Sequence, residues 1–212
     1  MSAKYRPAFL SLLALLSALT LPGCTFGQQT AEEFFNRGDA KKRMWDLDGA
    51  IADYSKAIEL NPKYAEAYYH RGVVKAKKMG DMDGPIADFT KAIELDPKNA
   101  EAYVDRADAK EWKGDLDGAI ADCNRAIELN PKDAGAYISR GTAEVWKPDC
   151  ANAEMRKADL DRAIADYSKA IELNPKSSPA YFNRGNAKKA KGDQAGADAD
   201  FAQAAKLKVS RP

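Results

Sequence analysis

The sequence predicts an all-helical fold, a solenoid of five helix-pair repeats running from Ala31 onward. Three observations predict it. The chain copies itself at a period in the thirties, which is the signature of stacked supersecondary units rather than one mixed core. Within each copy, apolar and small residues recur at helical spacing. The first four copies each reach a proline, Pro62, Pro97, Pro131 and Pro175, and proline cannot continue the helical hydrogen-bond ladder.

The copies are close in sequence: DGAIADYSKAIELNPKYAEAYYHRG returns as DRAIADYSKAIELNPKSSPAYFNRG. The units span 31–64, 65–99, 100–133, 134–177 and 178–212; the second carries one extra residue and the fourth ten. The surplus in the fourth falls at 147–158, KPDCANAEMRKA, which reads as an inserted loop, neutral or functional. The first helix of each unit holds an aromatic residue and, four residues on, a small one: Phe34/Gly38, Tyr68/Gly72, Tyr103/Ala107, Tyr137/Gly141 and Tyr181/Gly185. That spacing puts both on one face, where the small residue admits a neighbouring helix. A polar turn follows, and Asp46 and Asp115 are placed to cap the next helix, with Asp48 and Asp117 in its first turn.

The second helix carries Ala50, Tyr54 and Ala57, with Ile51 and Ile58 widening the buried stripe. The Tyr54 slot is held by Phe89, Cys123, Tyr167 and Phe201 in the later units. Pro85 lies in the first turn of its helix, where a missing N–H costs little. In the last unit Asp198 and Ala205 stand where the Ile pairs stand elsewhere. Such a helix suits the end of an array, with one face in water, and implies an array complete as it stands.

Taken in order, Phe34, Arg37-Gly38, Lys41, Ala50, Tyr54 and Pro62 resemble the tetratricopeptide repeat (TPR) family, and the resemblance covers 31–212. It implies a right-handed superhelix of helical hairpins, an α-solenoid whose concave groove binds a protein or peptide. The groove positions carried over are Glu32, Phe35, Asn36 and Asp39; Glu66, Tyr69, His70 and Val73; Glu101, Val104, Asp105 and Asp108; Ile138 and Thr142; Phe182 and Asn186. Acids concentrate in the first three units. They point to a basic and apolar partner segment, unless they serve solubility alone. One family subtype clamps a C-terminal carboxylate with Lys and Asn. Here Phe35, Tyr69, Val104, Ile138 and Phe182 stand in place of the Lys, which excludes that subtype. Trp112 and Trp146, near the ends of consecutive first helices, are either binding anchors or packed under the turn.

The chain departs from the family pattern in one respect throughout. Arg37, Arg71, Arg106, Arg140 and Arg184 replace the usual Leu, and Asp53, Asp88, Asp122, Asp166 and Asp200 recur at one place in the second helices. The two rows are expected to form ion pairs, Arg37–Asp53, Arg71–Asp88, Arg106–Asp122, Arg140–Asp166 and Arg184–Asp200, or pairs one repeat along. The alternative is that both rows face water.

Ahead of the repeats, Lys4 and Arg6 precede an uncharged run from Ala8 to Leu21, too short to span a bilayer. Residues 1–23 read as an export signal. Leu21-Pro22-Gly23-Cys24 resembles the lipobox of bacterial lipoproteins, with Pro22 as a departure. The resemblance implies lipidation of Cys24, a short tether over 24–30 and, with Thr25 rather than Asp next, the outer membrane in a two-membrane envelope. Ordinary cleavage and an uncleaved anchor are the alternatives.

Composition excludes other classes. With 45% hydrophobic and 31% charged residues the chain can fold. Its 33 basic and 32 acidic residues leave no cationic excess for nucleic acid. The single histidine, His70, no metal-ligand spacing and no phosphate loop predict no metal, no cofactor and no catalysis. Cys123 is either a small core residue or, in an oxidising compartment, the partner of Cys150. The expected function is a non-catalytic scaffold, with self-association into a homo-oligomer as the alternative.

Overall fold

The computed structural model describes residues 29–78, 80–147 and 153–209. The export signal with Cys24, and Cys150, lie outside the described residues. The described chain forms five antiparallel helix pairs: α1 (Ala31–Arg43) with α2 (Leu47–Leu60), α3 (Ala65–Lys77) with α4 (Asp83–Leu95), α5 (Ala100–Lys113) with α6 (Leu116–Leu129), α7 (Ala134–Trp146) with α8 (Ala153–Leu173), and α9 (Ser178–Lys191) with α10 (Gln194–Val209). No described residue is in a strand. Each helix packs on the next in sequence, so every hairpin stacks on its neighbour. Odd-numbered helices also touch across repeats, α3 with α5, α5 with α7 and α7 with α9. They therefore form the tighter, concave wall of the solenoid.

Side-chain caps open most of the helices, although α3 and α4 begin without one. The Thr30 hydroxyl accepts from the Glu33 N–H at 3.1 Å while the Glu33 carboxylate accepts from the Thr30 N–H at 2.8 Å. Asp46 and Asp115 accept from the backbone of Gly49 and Gly118, each at 3.0 Å. A Cβ on Gly49 would stand 2.1 Å from the Asp46 carboxylate, so a larger residue there would displace the capping side chain. Asp48 and Asp117 reach instead to Lys78 and Lys147 of the following repeat.

The fourth repeat breaks this rule and corrects the sequence reading. Residues 153–158 are not loop but the opening turns of α8, which runs 21 residues. Arg162 occupies the place of Gly49 and Gly118, and its side chain pairs with Asp159, so the aspartate cannot cap a helix start. With no Gly or Pro between Ala153 and Leu173, nothing stops the helix from continuing backward. Arg156 donates to the Val145 carbonyl at 2.6 Å, satisfying an open carbonyl of α7. Arg162 also meets Glu144 at 3.1 Å.

The core is built on a glycine–aromatic lock inside four of the five hairpins. A Cβ at Gly38 would lie 2.7 Å from the Tyr54 ring, and Gly72 against Phe89, Gly141 against Tyr167 and Gly185 against Phe201 are as tight. The glycine thus admits the ring of its own hairpin. The third repeat solves the same volume problem differently, with Ala107 beside the buried Cys123. A methyl is added on one helix and a ring removed from the other. Burial pushes the Cys123 thiol up to about 12, which leaves it unreactive as thiolate chemistry requires deprotonation.

The Arg and Asp rows meet within each hairpin. Arg37, Arg71, Arg106, Arg140 and Arg184 each donate through Nε and Nη2 to one Asp of the paired helix, at 2.6–2.9 Å. The fork geometry is bidentate, the strongest arrangement of these groups. The Asp53 carboxyl is held below the usual carboxylate range by the Arg37 guanidinium. The third nitrogen reaches out of the repeat: Arg71 to Ser55, Arg106 to Thr90, Arg140 to Asn124 and Arg184 to Ser168. Lys41, Lys75, Lys110 and Lys188, one turn on, share the same carboxylates at 2.8 Å. In the fourth repeat that lysine is Glu144, and Arg162 supplies its opposite charge.

One residue stands in a costly conformation. Trp45 has φ +60 at the turn position that Gly114 and Gly192 fill in later repeats, with φ +83 and +93. Its indole is 70% exposed, and Lys77 Nζ lies 5.5 Å from the ring centroid.

Two expectations follow for stability. Asp122→Leu strands both Arg106 and Lys110 and should cost about 3 kcal/mol or more. Arg106→Leu should cost less, because Lys110 remains on the carboxylate. The double variant should lose less than the sum in urea unfolding, and strict additivity would contradict the coupling. At the turn, Trp45→Gly should raise the melting temperature by about 2–4 °C, because relief of about 1–2 kcal/mol of left-handed strain exceeds an exposed cation–π contact of about 0.5–1 kcal/mol. Trp45→Ala, which keeps the strain and loses the stack, should lower it.

Candidate polypeptide-binding channel

The concave wall is formed by α1, α3, α5, α7 and α9, and its two halves differ in chemistry. In the first half an aromatic cluster surrounds His70: Phe35 lies 5.1 Å and Tyr69 5.5 Å from its ring, and Phe35 also meets Tyr64 at 5.0 Å. The sequence gives Asp39 and His70 as groove positions of the first and second repeats, each open to a ligand. The structure turns them toward each other instead, with Asp39 Oδ1 2.8 Å from His70 Nδ1. The Tyr54 hydroxyl donates to the same oxygen at 2.6 Å and Lys42 stands at 2.9 Å. Burial alone would raise the Asp39 carboxyl, but these hydrogen bonds prevail and hold it at about 2. Asp39 is thus a charged residue already neutralised by its own chain.

The third repeat is the opposite case. Asp105, Asp108 and Glu111 follow one another along the inner face of α5 at helical spacing. Among the described residues, no lysine or arginine lies within 4 Å of these three carboxylates. Burial pushes the Asp105 carboxyl up to about 6, against a hydrogen bond from Tyr69 and with help from the charges of Asp108 and Glu101. Burial and Asp108 push Glu111 up to about 7. Asp108 is raised by burial too, against a hydrogen bond from Ser139, although its side chain is open to water. Asp108 thus lies where neighbouring protein thins the solvent without covering the group. The Tyr69 hydroxyl donates to Glu101 Oε2 at 3.4 Å and so bridges α3 and α5.

Apolar surface lies alongside. A depression of about 300 Å³ beside the acids is lined by Val73, Met82, Phe89 and Trp112. A wider one of about 610 Å³ opens between Trp112 and Trp146, with Glu111, Gly114 and Leu116 on its walls. Of the two readings for these tryptophans, packing under the turn is not what the structure shows: they are 70% and 67% exposed.

The remaining groove positions fall into place less uniformly. Glu32, Asn36, Glu66, Glu101 and Asn186 are exposed, and Val104 is half-buried. Ile138 is drawn into the core beside Leu160 and Tyr167. The Thr142 hydroxyl is spent internally, donating to the Ile138 carbonyl at 2.8 Å and accepting from Tyr167 at 3.3 Å. Phe182 is 46% exposed, with Lys208 5.6 Å from its ring. Glu111 escaped the sequence reading because the groove face was followed for two turns only. The signal was present, since Glu111 lies three residues beyond Asp108. Among the described residues, no group of three or more His, Cys, Asp and Glu is placed to hold a metal ion.

Models of the TPR repeat match residues 46–80 and 151–207, and a tetratricopeptide repeat model matches 76–134. The chain belongs to the tetratricopeptide repeat family. Its all-helical solenoid is shared by solved TPR structures. The crystal structure of MamA is 29% identical, with a TM-score of 0.67 over 81% of this chain and 94% of that one. YrrB, described as a TPR protein with an unusual peptide-binding site, is 23% identical with a TM-score of 0.65 over 85% and 88%. PilF of Pseudomonas aeruginosa, at 15% identity and a TM-score of 0.69 over 84% and 76%, shares the fold. No curated protein sequence matches the chain.

Proposed function

We propose that this TPR array is a non-catalytic scaffold whose concave channel binds a polypeptide segment carrying Lys or Arg among apolar side chains. The observation that supports this most is the acidic row Asp105, Asp108 and Glu111. This chain matches helix-borne carboxylates to its own cations at Asp53, Asp88, Asp122, Asp166 and Asp200, and leaves that row without one. Carboxylates of one sign in a concave wall add their fields and attract an opposite charge. Tyr69, Val104 and the depression beside Phe89 offer the apolar contact that carries most interface affinity. The peptide-binding site for which YrrB is described agrees in kind.

The competing reading is self-association through the groove or the terminal helix, and for copies stacked head to tail it meets an obstacle in α10. Ser55, Thr90, Asn124 and Ser168 accept the third nitrogen of an arginine in the next repeat, or stand where they do, but the matching residue of α10 is Ala202. Arg37 of a second copy, which already donates its third nitrogen to its own Gln29 at 3.2 Å, brings no free donor to that place either.

A defined peptide, Ac-Leu-Arg-Leu-Arg-Leu-NH2, tests the channel by fluorescence titration. Its affinity should fall as salt rises from 0.1 to 1 M, since the Debye length shrinks from about 10 to about 3 Å. It should rise from pH 5.5 to 7.5 as Asp105 and Glu111, with carboxyls near 6 and 7, lose their protons and gain charge. Tyr69→Ala should weaken binding, and Glu66→Lys with Glu101→Lys should weaken it further. Binding that survives all of these would place the site elsewhere.

We also propose that the scaffold is exported and held at the envelope by lipid on Cys24, on the strength of Lys4, Arg6, the apolar run and the Leu21–Cys24 segment. A doubly or triply acylated N-terminus would hold firmly where one chain binds only marginally. Intact mass of the mature protein should show an acylated Cys24, and an unmodified N-terminus elsewhere would refute the anchor.

A further inference from the structure

The channel ends at a lip where the inner helices give way to their turns, and that lip is aromatic. Trp112 stands four residues beyond Asp108, and Trp146 four beyond Thr142, so both continue the channel face. The same helical position is Lys77 in the second repeat. Two indoles with about two thirds of their surface in water, facing one open depression of about 610 Å³, are a costly exposure for a soluble face.

Elsewhere this chain does not leave such rings alone. Arg37, Arg71, Arg106, Arg140 and Arg184 lie 4.6–5.6 Å over the rings of Phe34, Tyr68, Tyr103, Tyr137 and Tyr181. Lys208 covers Phe182. Lys77 covers Trp45, the third tryptophan, in the turn of the first repeat. Among the described residues no lysine or arginine stacks on Trp112 or Trp146. The nearest candidates in sequence, Lys113 and Lys147, are turned away to Asp83 and Asp117 of the preceding repeats. Glu111 stands on the wall of the depression without a basic partner.

We propose that the depression between Trp112 and Trp146 is a subsite for a lysine or arginine side chain of a partner polypeptide, seated against the indole faces with Glu111 as its counter-charge. Charge complementarity selects this occupant. The acidic row of α5 leads into the depression, and two indoles line it beside the Glu111 carboxylate, a set of groups that favours a cation over a neutral apolar group. Lys77 on Trp45 shows the same contact made within the chain. Arginine adds a planar surface that stacks as well as a charge. The subsite deepens the channel reading and rests on it for the direction of the bound segment, while its own residues lie at the lip and not at Tyr69, Glu66 or Glu101.

The test uses the full chain, labelled with nitrogen-15, whose three tryptophans give three indole N–H signals. The probes are Ac-Leu-Arg-Leu-Arg-Leu-NH2 and its citrulline counterpart, which keeps the side-chain shape and removes the charge. The arginine peptide should shift the Trp112 and Trp146 signals saturably. Its dissociation constant should rise about fivefold in Trp112→Leu and Trp146→Leu, which keep apolar bulk and lose the ring, a change equal to about 1 kcal/mol. Glu111→Gln and the citrulline peptide should each weaken binding by a similar factor. Both tryptophans are exposed, and circular dichroism of the leucine variants should match the parent. Equal affinity of the two peptides, or unchanged affinity in both leucine variants, overturns the subsite. If the leucine variants bind normally while Tyr69→Ala and the Glu66→Lys, Glu101→Lys pair do not, the subsite falls and the channel stands. If the leucine variants alone lose affinity, the subsite stands and the channel reading falls. No binding of either peptide at millimolar concentration overturns both.

Discussion

Everything in this array hangs on one repeated node, an arginine of the inner helix forked onto an aspartate of the outer one. The pair is anchored where the two helices of a hairpin must be held at fixed distance. The same guanidinium also reaches the preceding repeat through its third nitrogen and stacks on an aromatic ring one turn back. It therefore sets the register within a hairpin and between hairpins at once. A leucine at that position would pack, but it could not say which outer-helix residue belongs opposite. A buried ion pair is a doubtful source of net stability against an apolar substitute. Its contribution here is specificity of alignment in a structure whose helices are so alike that many stackings would bury similar area.

Because the node satisfies charges so thoroughly, the places where satisfaction stops stand out. Asp39 is paired with the charge of Lys42 and hydrogen-bonded to Tyr54 and His70, two repeats away from Asp105, Asp108 and Glu111, which have neutral donors or none. The wall is thus closed chemically at one end and open at the other. The apolar surface follows the same gradient, from rings packed among themselves around His70 to the open indoles of Trp112 and Trp146.

Departures from the repeat come in compensating pairs. Where Gly becomes Ala107, the facing ring becomes Cys123. Where the lysine one turn past the node becomes Glu144, the glycine after the cap becomes Arg162. Each pair preserves volume or charge while changing the local form. In the fourth repeat the second exchange also removes a helix stop, so that an insertion becomes a longer helix. Glycine after the cap leaves room for the aspartate side chain that folds over it, and once the cap is lost a larger residue fits there.

Apart from the backward extension of α8, the sequence by itself determined the helices, their pairing and which face of each is buried, because period, caps and the glycine–aromatic spacing are local quantities that act within one or two turns. The Arg and Asp rows were legible as rows, and the structure joins them within each hairpin, where the fork is shortest. The groove face of α5 was legible as far as Asp108. What only the tertiary structure decided were matters of neighbours far apart in the chain. Asp39 meets His70 across two hairpins, Thr142 is occupied by Tyr167, and Trp112 and Trp146 share an open depression rather than a packed turn. Periodicity says which side of a helix a residue faces. Whether that side is already filled by another repeat depends on how the helices stack.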